Sequence, residues 1–241
     1  LENEGNVVVD IGNSKIKTAI FEGERLVSRF AADHLEEVFQ HYEKASYRWI
    51  FSSVGDDPSA HSRISALKDH LILSRDTPLP VSLDYQTPET LGVDRIAASV
   101  GAFHLYKKSC LVIDAGTCIT YDLVDKTGVY RGGAIAPGLK MRMKAMSHFT
   151  KRLPDVSAEW EEIPLKTQGK TTRECLVTGA FDGVVHEMDG FIEAFLKEYE
   201  DLAVILTGGD ANYFESKLKA PIFADFDLVL TGLNTILNYN K

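Results

Sequence analysis

The sequence predicts an α/β protein made of two duplicated domains, residues 1–109 and 110–241, each a mixed sheet flanked by helices. Two stretches carry this expectation. In VVVDIGNSKIK, residues 7–17, a buried apolar run (Val7, Val8, Val9) ends in Asp10 and is followed by a tight turn and a second run carrying Lys17. In CLVIDAGTCITYD, residues 110–122, an apolar run (Leu111, Val112, Ile113) ends in Asp114, followed by a Gly116–Thr117 turn and another run. Both continue alike: IKTAIFE, EGER and LVSRF in the first, CITYDLV, DKTG and VYRGGAI in the second. Short turns between apolar runs read as strand meanders. One unit occurring twice reads as a duplication, with the two acidic turns expected to face one cleft.

The elements follow in order. Residues 7–31 form the first meander. Leu35, Val38, Phe39 and Tyr42 fall at helical spacing and predict an amphipathic helix over 32–45. RWIFSSV, 48–54, predicts a strand ending at Ser52–Ser53 and a Gly55 turn. Ile64, Leu67 and Leu71 predict a helix over 59–71. Prolines 78 and 80 limit 80–84 to a short edge strand. Thr87 and Pro88 predict an N-cap and first helical position, with a helical apolar face from Leu91 to Tyr106. Gly92 and Gly101 weaken that helix. The second meander ends in GGAIAPGLK, 132–140, predicting a constrained loop into a helix at 138–150. Residues 151–170 carry two prolines and no sustained period, and read as a long surface segment, a lid or a partner surface. QGKTT at 168–172 resembles the tail of a P-loop, but its upstream glycine position holds Pro164 and no strand leads in. It reads instead as a capping box, Thr171 or Thr172 with Glu174, opening a long helix to about Tyr199, with breaks expected at Gly183 and Gly190. LAVILTGGDA predicts a core strand into a Gly-Gly turn. A short helix, a strand near 222–226 and a helix over 228–239 close the chain.

Composition sets the bounds. The 241 residues are 44% hydrophobic and 25% charged, enough apolar content for a sizeable core. The net charge of −9 argues against general nucleic-acid or anionic-membrane partners but permits an anionic ligand at a local cluster. Cys110, Cys118 and Cys175 lack CxxC spacing, which disfavours a disulfide framework or zinc site; Cys110 and Cys118 are expected in or near the core. No apolar run approaches a membrane span, and LENEGN is no signal peptide, so a reducing, cytoplasmic setting is expected.

Some stretches carry chemistry. The Asp10 turn offers a carboxylate, an amide, a hydroxyl, backbone N–H groups and Lys17, a set suited to a polyphosphate and its metal; alone, it reads equally as a polar hairpin turn. Asp94 and Arg95 beside Gly92 read as a functional pair, or as a surface ion pair on a helix. GGAIAPG before a helix reads as an anion site or a tight turn. The paired glycines of TGGDA let the backbone lie against a flat ligand such as an adenine nucleotide.

Taken together, these motifs resemble those of type III pantothenate kinase, in the acetate-kinase/Hsp70/actin superfamily, along nearly the whole chain. DIGNSKIK resembles D-x-G-N-T-x-x-K with Ser14 for Thr, GVDR at 92–95 matches G-x-D-R, and DAGTCITYD resembles D-A-G-T-A-T-T-x-D. GGAIAPG and TGGDA match the remaining glycine motifs. Cys118 and Ile119 depart from the small or hydroxylated residues of the pattern, and Thr87 stands where Asn often precedes Pro88.

The resemblance implies two duplicated ribonuclease-H-like domains with an actin-like ATPase architecture, a homodimer, and ATP-dependent phosphorylation of pantothenate in coenzyme A synthesis. It implies Asp94 as general base, and Tyr85, Gly92, Val93, Asp94, Arg95 and Thr172 around pantothenate. It places Asp10, Ile11, Gly12, Asn13, Ser14, Lys15, Ile16, Lys17 and Thr117 around the ATP phosphates. Asp10 is implied on the Mg²⁺ side, directly or through water, and Asp114 as ligand to a required monovalent cation, K⁺ or NH₄⁺. Two rival readings are a different small-molecule kinase of the superfamily, which GVDR disfavours, and a regulatory protein like the Bvg accessory factors, which the intact Asp94 and Lys17 and the acidic charge disfavour.

Overall fold

The computed structural model describes residues 5–12, 15–42, 46–52 and 58–241. Asn13, Ser14, Ser53 and Gly55 lie outside them, as does the end of the helix predicted over 32–45. The chain divides into two compact units. The first takes residues 1–110, 123–132 and 227–241; the second takes 111–122 and 133–226.

The first unit holds a five-stranded sheet of order β3-β2-β1-β4-β5: β1 (Asn6–Ile11), β2 (Ile16–Glu22), β3 (Arg25–Ala32), β4 (Arg48–Phe51) and β5 (His70–Ile72). β1, β2 and β3 are the antiparallel meander, while β4 lies parallel to β1 and β5 parallel to β4. The strand period of two separates the faces of β1. Val7 and Val9 join a core with Phe51, with Val38 and Phe39 of α1 (Leu35–His41), and with Ile64 of α2 (Pro58–Ser65). Asn6, on the other face, donates to Asn234 (2.7 Å) and Asn238 (3.0 Å) of α7 (Leu228–Tyr239). Asp10 shares the face of Asn6 and Val8.

On that face α7 meets α3 (Val93–Tyr106) backbone to backbone. A Cβ on Gly101 would strike the Leu228 carbonyl and reach Gly232 N at 3.1 Å; one on Gly232 would strike the Ala97 carbonyl. Gly101 therefore has a packing role that outweighs its helix cost of about 1 kcal/mol.

Some expectations are corrected. The helix predicted over 59–71 stops at Ser65, and residues 70–72 form β5 instead, because parallel pairing with β4 overrides a short apolar spacing that fits both periods. Thr87 is an N-cap with Pro88 at the first helical position, as expected, but of a separate 3-10 turn, Pro88–Thr90, where its hydroxyl accepts from that of Thr90; α3 begins later, with Gly92 as its N-cap. Gly132 and Gly133 are not in a loop. They lie within β9 (Val129–Pro137), where a Cβ on Gly133 would collide with the Tyr121 carbonyl.

The second sheet has the order β9-β8-β7-β10-β11, with β7 (Cys110–Ala115), β8 (Cys118–Val124), β10 (Ala203–Thr207) and β11 (Phe223–Ala224). Numbered from the first strand of each meander, both sheets run 3-2-1-4-5, so the duplication read from two motifs holds at the level of topology. The second unit takes most of this sheet. The two-residue β6 (Ser82–Leu83) adds to the Val129–Tyr130 end of β9. The second core gathers Leu111, Ile113 and Tyr121 with Leu139 and Met143 of α4 (Leu139–His148) and Val184 and Met188 of α5 (Thr172–Glu198). Helix α5 runs unbroken through Gly183 and Gly190 and opens on the expected capping box: the Thr171 hydroxyl accepts from Glu174 N–H, and Glu174 accepts from Thr171 N–H. Segment 151–170 is not simply a surface strap, since Val156 and Trp160 are buried in this core. A short α6 (Ala211–Phe214) follows β10.

Candidate active site

The site in the first unit is built from the end of β1. Asp10 stands directly across from Lys17 in the β1–β2 register, which pairs opposite charges between strands. Parallel β4 brings Ser52 alongside: its N–H donates to the Val9 carbonyl at 2.9 Å, and its hydroxyl accepts from Ile11 N–H at 3.0 Å. The same hydroxyl also hydrogen-bonds the Asp10 carboxyl. Burial pushes that carboxyl above its ordinary range. The Ser52 hydrogen bond and the Lys17 charge oppose the shift, and the Asp94 carboxylate adds to it. Asp10 and Asp94, far apart in sequence, are thus within electrostatic reach.

Asp94 is exposed at the start of α3, where its Oδ1 accepts from Arg95 N–H at 2.9 Å. A Cβ on Gly92 would collide with that carboxylate oxygen, so the glycine makes room for it. Arg95 is 7% exposed, which removes the reading of Asp94 and Arg95 as a solvated surface pair. Val93 and Gly92 are half-buried beside them. Tyr85 is half-buried, its ring 5.9 Å from that of Tyr130 and 3.7 Å from where a Gly132 Cβ would stand. In the first turn, Gly12 N–H donates to the Lys15 carbonyl at 3.2 Å. Ile16 is buried and Ile11 half-buried, while the Lys15 ammonium lies 3.5 Å from Asp33 in an exposed ion pair.

In the second unit three motifs converge. Asp114 ends β7 as Asp10 ends β1. The turn after it closes with Gly116 N–H donating to the Cys118 carbonyl at 3.0 Å. Gly138 N–H donates to the Thr117 carbonyl at 3.1 Å, and a Cβ on Gly138 would strike the Gly116 carbonyl. Gly208 has φ +100°, and its Cβ would stand 2.5 Å from Asp114 Oδ1. Asp210 N–H donates to the Ala115 carbonyl at 2.8 Å, and burial raises the Asp210 carboxyl. Thr117 is exposed, and so is Cys118, contrary to the expectation of a core thiol: it opens β8 on the turn, and the buried partner position is Ile119. Thr172 is exposed at the first turn of α5.

Sequence reading missed Ser52 as a site residue. Its signal was a hydroxyl pair at a strand end, meaningful only once β4 is known to lie beside β1. The residues at Asp10 suit Mg²⁺. Two like-charged carboxylates within electrostatic reach, one of them half-buried, are a pair that a divalent cation relieves. Among the described residues no cluster of three or more His, Cys, Asp or Glu forms a complete metal cage. Mg²⁺ needs none, since it commonly takes one or two carboxylates and completes its shell with water and phosphate.

The sequence model of the family described as type III pantothenate kinase matches residues 6–194. The chain belongs to the type III pantothenate kinase family. A type III pantothenate kinase of Cytophaga hutchinsonii is 42% identical, covering 98% of this chain and 99% of its own. One of Phocaeicola vulgatus is 44% identical, covering 98% of both. Solved structures of lower identity share the fold. These include a Baf family transcriptional activator from Campylobacter jejuni (TM-score 0.61, 23% identity, 97% of this chain and 98% of that one). Another is component A of (R)-2-hydroxyglutaryl-CoA dehydratase from Acidaminococcus fermentans (TM-score 0.55, 12% identity, 97% and 96%). The architecture is that of the actin-like ATPases, with duplicated ribonuclease-H-like domains. The family match spans the Asp10 turn, GVDR, DAGT, GGAIAPG and Thr172; TGGDA and α7 lie beyond it. Among the described residues no helix is long and apolar enough to cross a membrane.

Proposed function

We propose that this kinase phosphorylates pantothenate to 4′-phosphopantothenate at the expense of ATP, the first step of coenzyme A biosynthesis. The observation that carries the reading is family membership over nearly the full length, joined to Lys17 and Ser52 beside Asp10 at the end of β1, with the Asp94 carboxylate within electrostatic reach. Asp94 accepts the proton of the pantothenate hydroxyl as it attacks the γ-phosphorus. Its exposure leaves it free to meet substrate, and the Arg95 N–H fixes its orientation. Tyr85, Gly92, Val93, Arg95 and Thr172 hold pantothenate, with the Arg95 guanidinium suited to its carboxylate. The Asp10–Lys17 turn, including Asn13 and Ser14, and Thr117 hold the ATP phosphates, whose developing charge Lys17 and the turn N–H groups offset. Asp10 holds Mg²⁺, directly or through water; the ion supplies charge neutralisation between the phosphates. Asp114 holds the monovalent cation, K⁺ or NH₄⁺. Residues 1–109 and 110–241 are read as the two duplicated domains, the protein as a cytoplasmic homodimer.

The test is ATP consumption by purified protein with and without pantothenate. Turnover is expected only with pantothenate and Mg²⁺, and only with K⁺ or NH₄⁺ present. Absence of pantothenate-dependent turnover would overturn the function; equal turnover in Na⁺ alone would overturn the cation assignment. Sedimentation at 26.7 kDa with full activity would overturn the dimer.

A further inference from the structure

Arg142 and Glu187 belong to none of the motifs above, yet they hold one peptide of the second turn. Arg142 lies in the first turn of α4. Its Nε donates to the Pro137 carbonyl at 2.8 Å, and its Nη2 donates to Glu187 Oε2 at 2.7 Å. The other carboxylate oxygen of Glu187 accepts from the Tyr121 hydroxyl at 2.9 Å. Tyr121 is fully buried and stacks on Phe191 with ring centroids 4.1 Å apart. One carboxylate on α5 thus ties β8 to the corner between β9 and α4.

That corner is the Pro137–Gly138 peptide, a rigid planar unit. Arg142 holds its carbonyl end. Its N–H end, that of Gly138, donates to the Thr117 carbonyl at 3.1 Å. A Cβ at this position would strike the Gly116 carbonyl, so the glycine is what lets the two backbones come this close. Fixing the plane of this peptide fixes where the 116–117 turn stands relative to the second core. A guanidinium suits the task because its planar fork serves a carbonyl and a carboxylate at once, which an ammonium does not do in the same geometry.

We propose that Arg142 and Glu187 are positioning residues that set the 116–117 turn for the phosphates of ATP. This rests on the assignment of Thr117 to the ATP site. The experiment compares Arg142→Lys, Glu187→Gln and Thr117→Ala by steady-state kinetics in each substrate, well below each variant's unfolding temperature. Arg142→Lys keeps the charge and Glu187→Gln keeps the size, so each is conservative for the fold. Both are expected to raise the KM for ATP about tenfold, the scale of one charge-assisted hydrogen bond. The KM for pantothenate is expected to stay within about twofold, since a displaced phosphate turn weakens one substrate only. A merely structural role would lower the unfolding temperature and leave that split absent. If Thr117→Ala raises the KM for ATP while Arg142→Lys and Glu187→Gln do not, the positioning role is overturned and the ATP assignment stands. If all three leave it unchanged, the assignment of the turn falls and the proposal falls with it. An equal rise in both KM values also overturns it.

Discussion

Replacing Asp94 by Asn separates a catalytic carboxylate from a structural one, because the structure bounds the structural cost. Asp94 sits in the first turn of α3, exposed, with its Oδ1 accepting from Arg95 N–H at 2.9 Å. The Asn amide oxygen can still accept that hydrogen bond. What is lost is a negative charge at a helix N-terminus, worth about 0.3–1 kcal/mol. Loss of the same charge relieves repulsion with Asp10, whose carboxyl Asp94 pushes up. The two effects oppose, so stability is expected to change by less than about 1 kcal/mol, or about 2–4 °C in Tm for a chain of this size. The kinetic effect is far larger. A general base contributes about 10²–10⁴-fold to rate, equivalent to about 3–5 kcal/mol of barrier, and Asn takes no proton at neutral pH. The assay is ADP release at saturating ATP and pantothenate, with Tm measured on the same preparation. A kcat reduced by at least about 10²-fold at nearly unchanged Tm is expected. A kcat within about threefold of the parent, less than about 1 kcal/mol of barrier, would refute the assignment of Asp94 as base.

Two further predictions concern the scaffold of the first unit. Gly232→Ala drives a methyl group into the Ala97 carbonyl of α3 and is expected to lower the urea midpoint by the equivalent of about 1–3 kcal/mol; the control Gly179→Ala on α5, with no atom within 4 Å of the new Cβ, should be neutral or stabilising by up to about 1 kcal/mol. Asp125 is held at about 2 against an ordinary 3.8: burial pushes it up, but hydrogen bonds from Thr127, Arg131 and the Val129 and Thr127 N–H groups outweigh that. A depressed folded value stabilises the protein above the unfolded value, and the contribution is lost as pH falls toward the folded one. Asp125→Asn is therefore expected to cost on the order of 1–2 kcal/mol at pH 7, discounted for the half-exposed Arg131, with the gap to the parent closing between about pH 4 and 2 in unfolding midpoints.

What the sequence by itself determined lies where the signal is local. Val7–Val9 and Leu111–Ile113 are apolar runs that end in an aspartate, and they became the central strands of two sheets of the same order. The Thr171–Glu174 capping box and the helix over 228–239 likewise follow from hydrogen bonding and apolar spacing within one turn or one face. The tertiary structure alone decided matters that depend on pairing distant segments. Leu71 and Ile72 became β5 because β4 offered a parallel edge, and Val156 and Trp160 entered a core that no local period announced. Gly92 looked like a weak point inside a helix and proved to be its N-cap, shaped around a carboxylate. The site divides the same way. Its motif residues were legible because glycines and acids in tight turns carry a local signature. The approach of Asp94 and Ser52 to Asp10, and the hold of Arg142 and Glu187 on Pro137, were not. Each depends on where a separate strand or helix lands, and a side chain carries no mark of the partner that packing will bring to it.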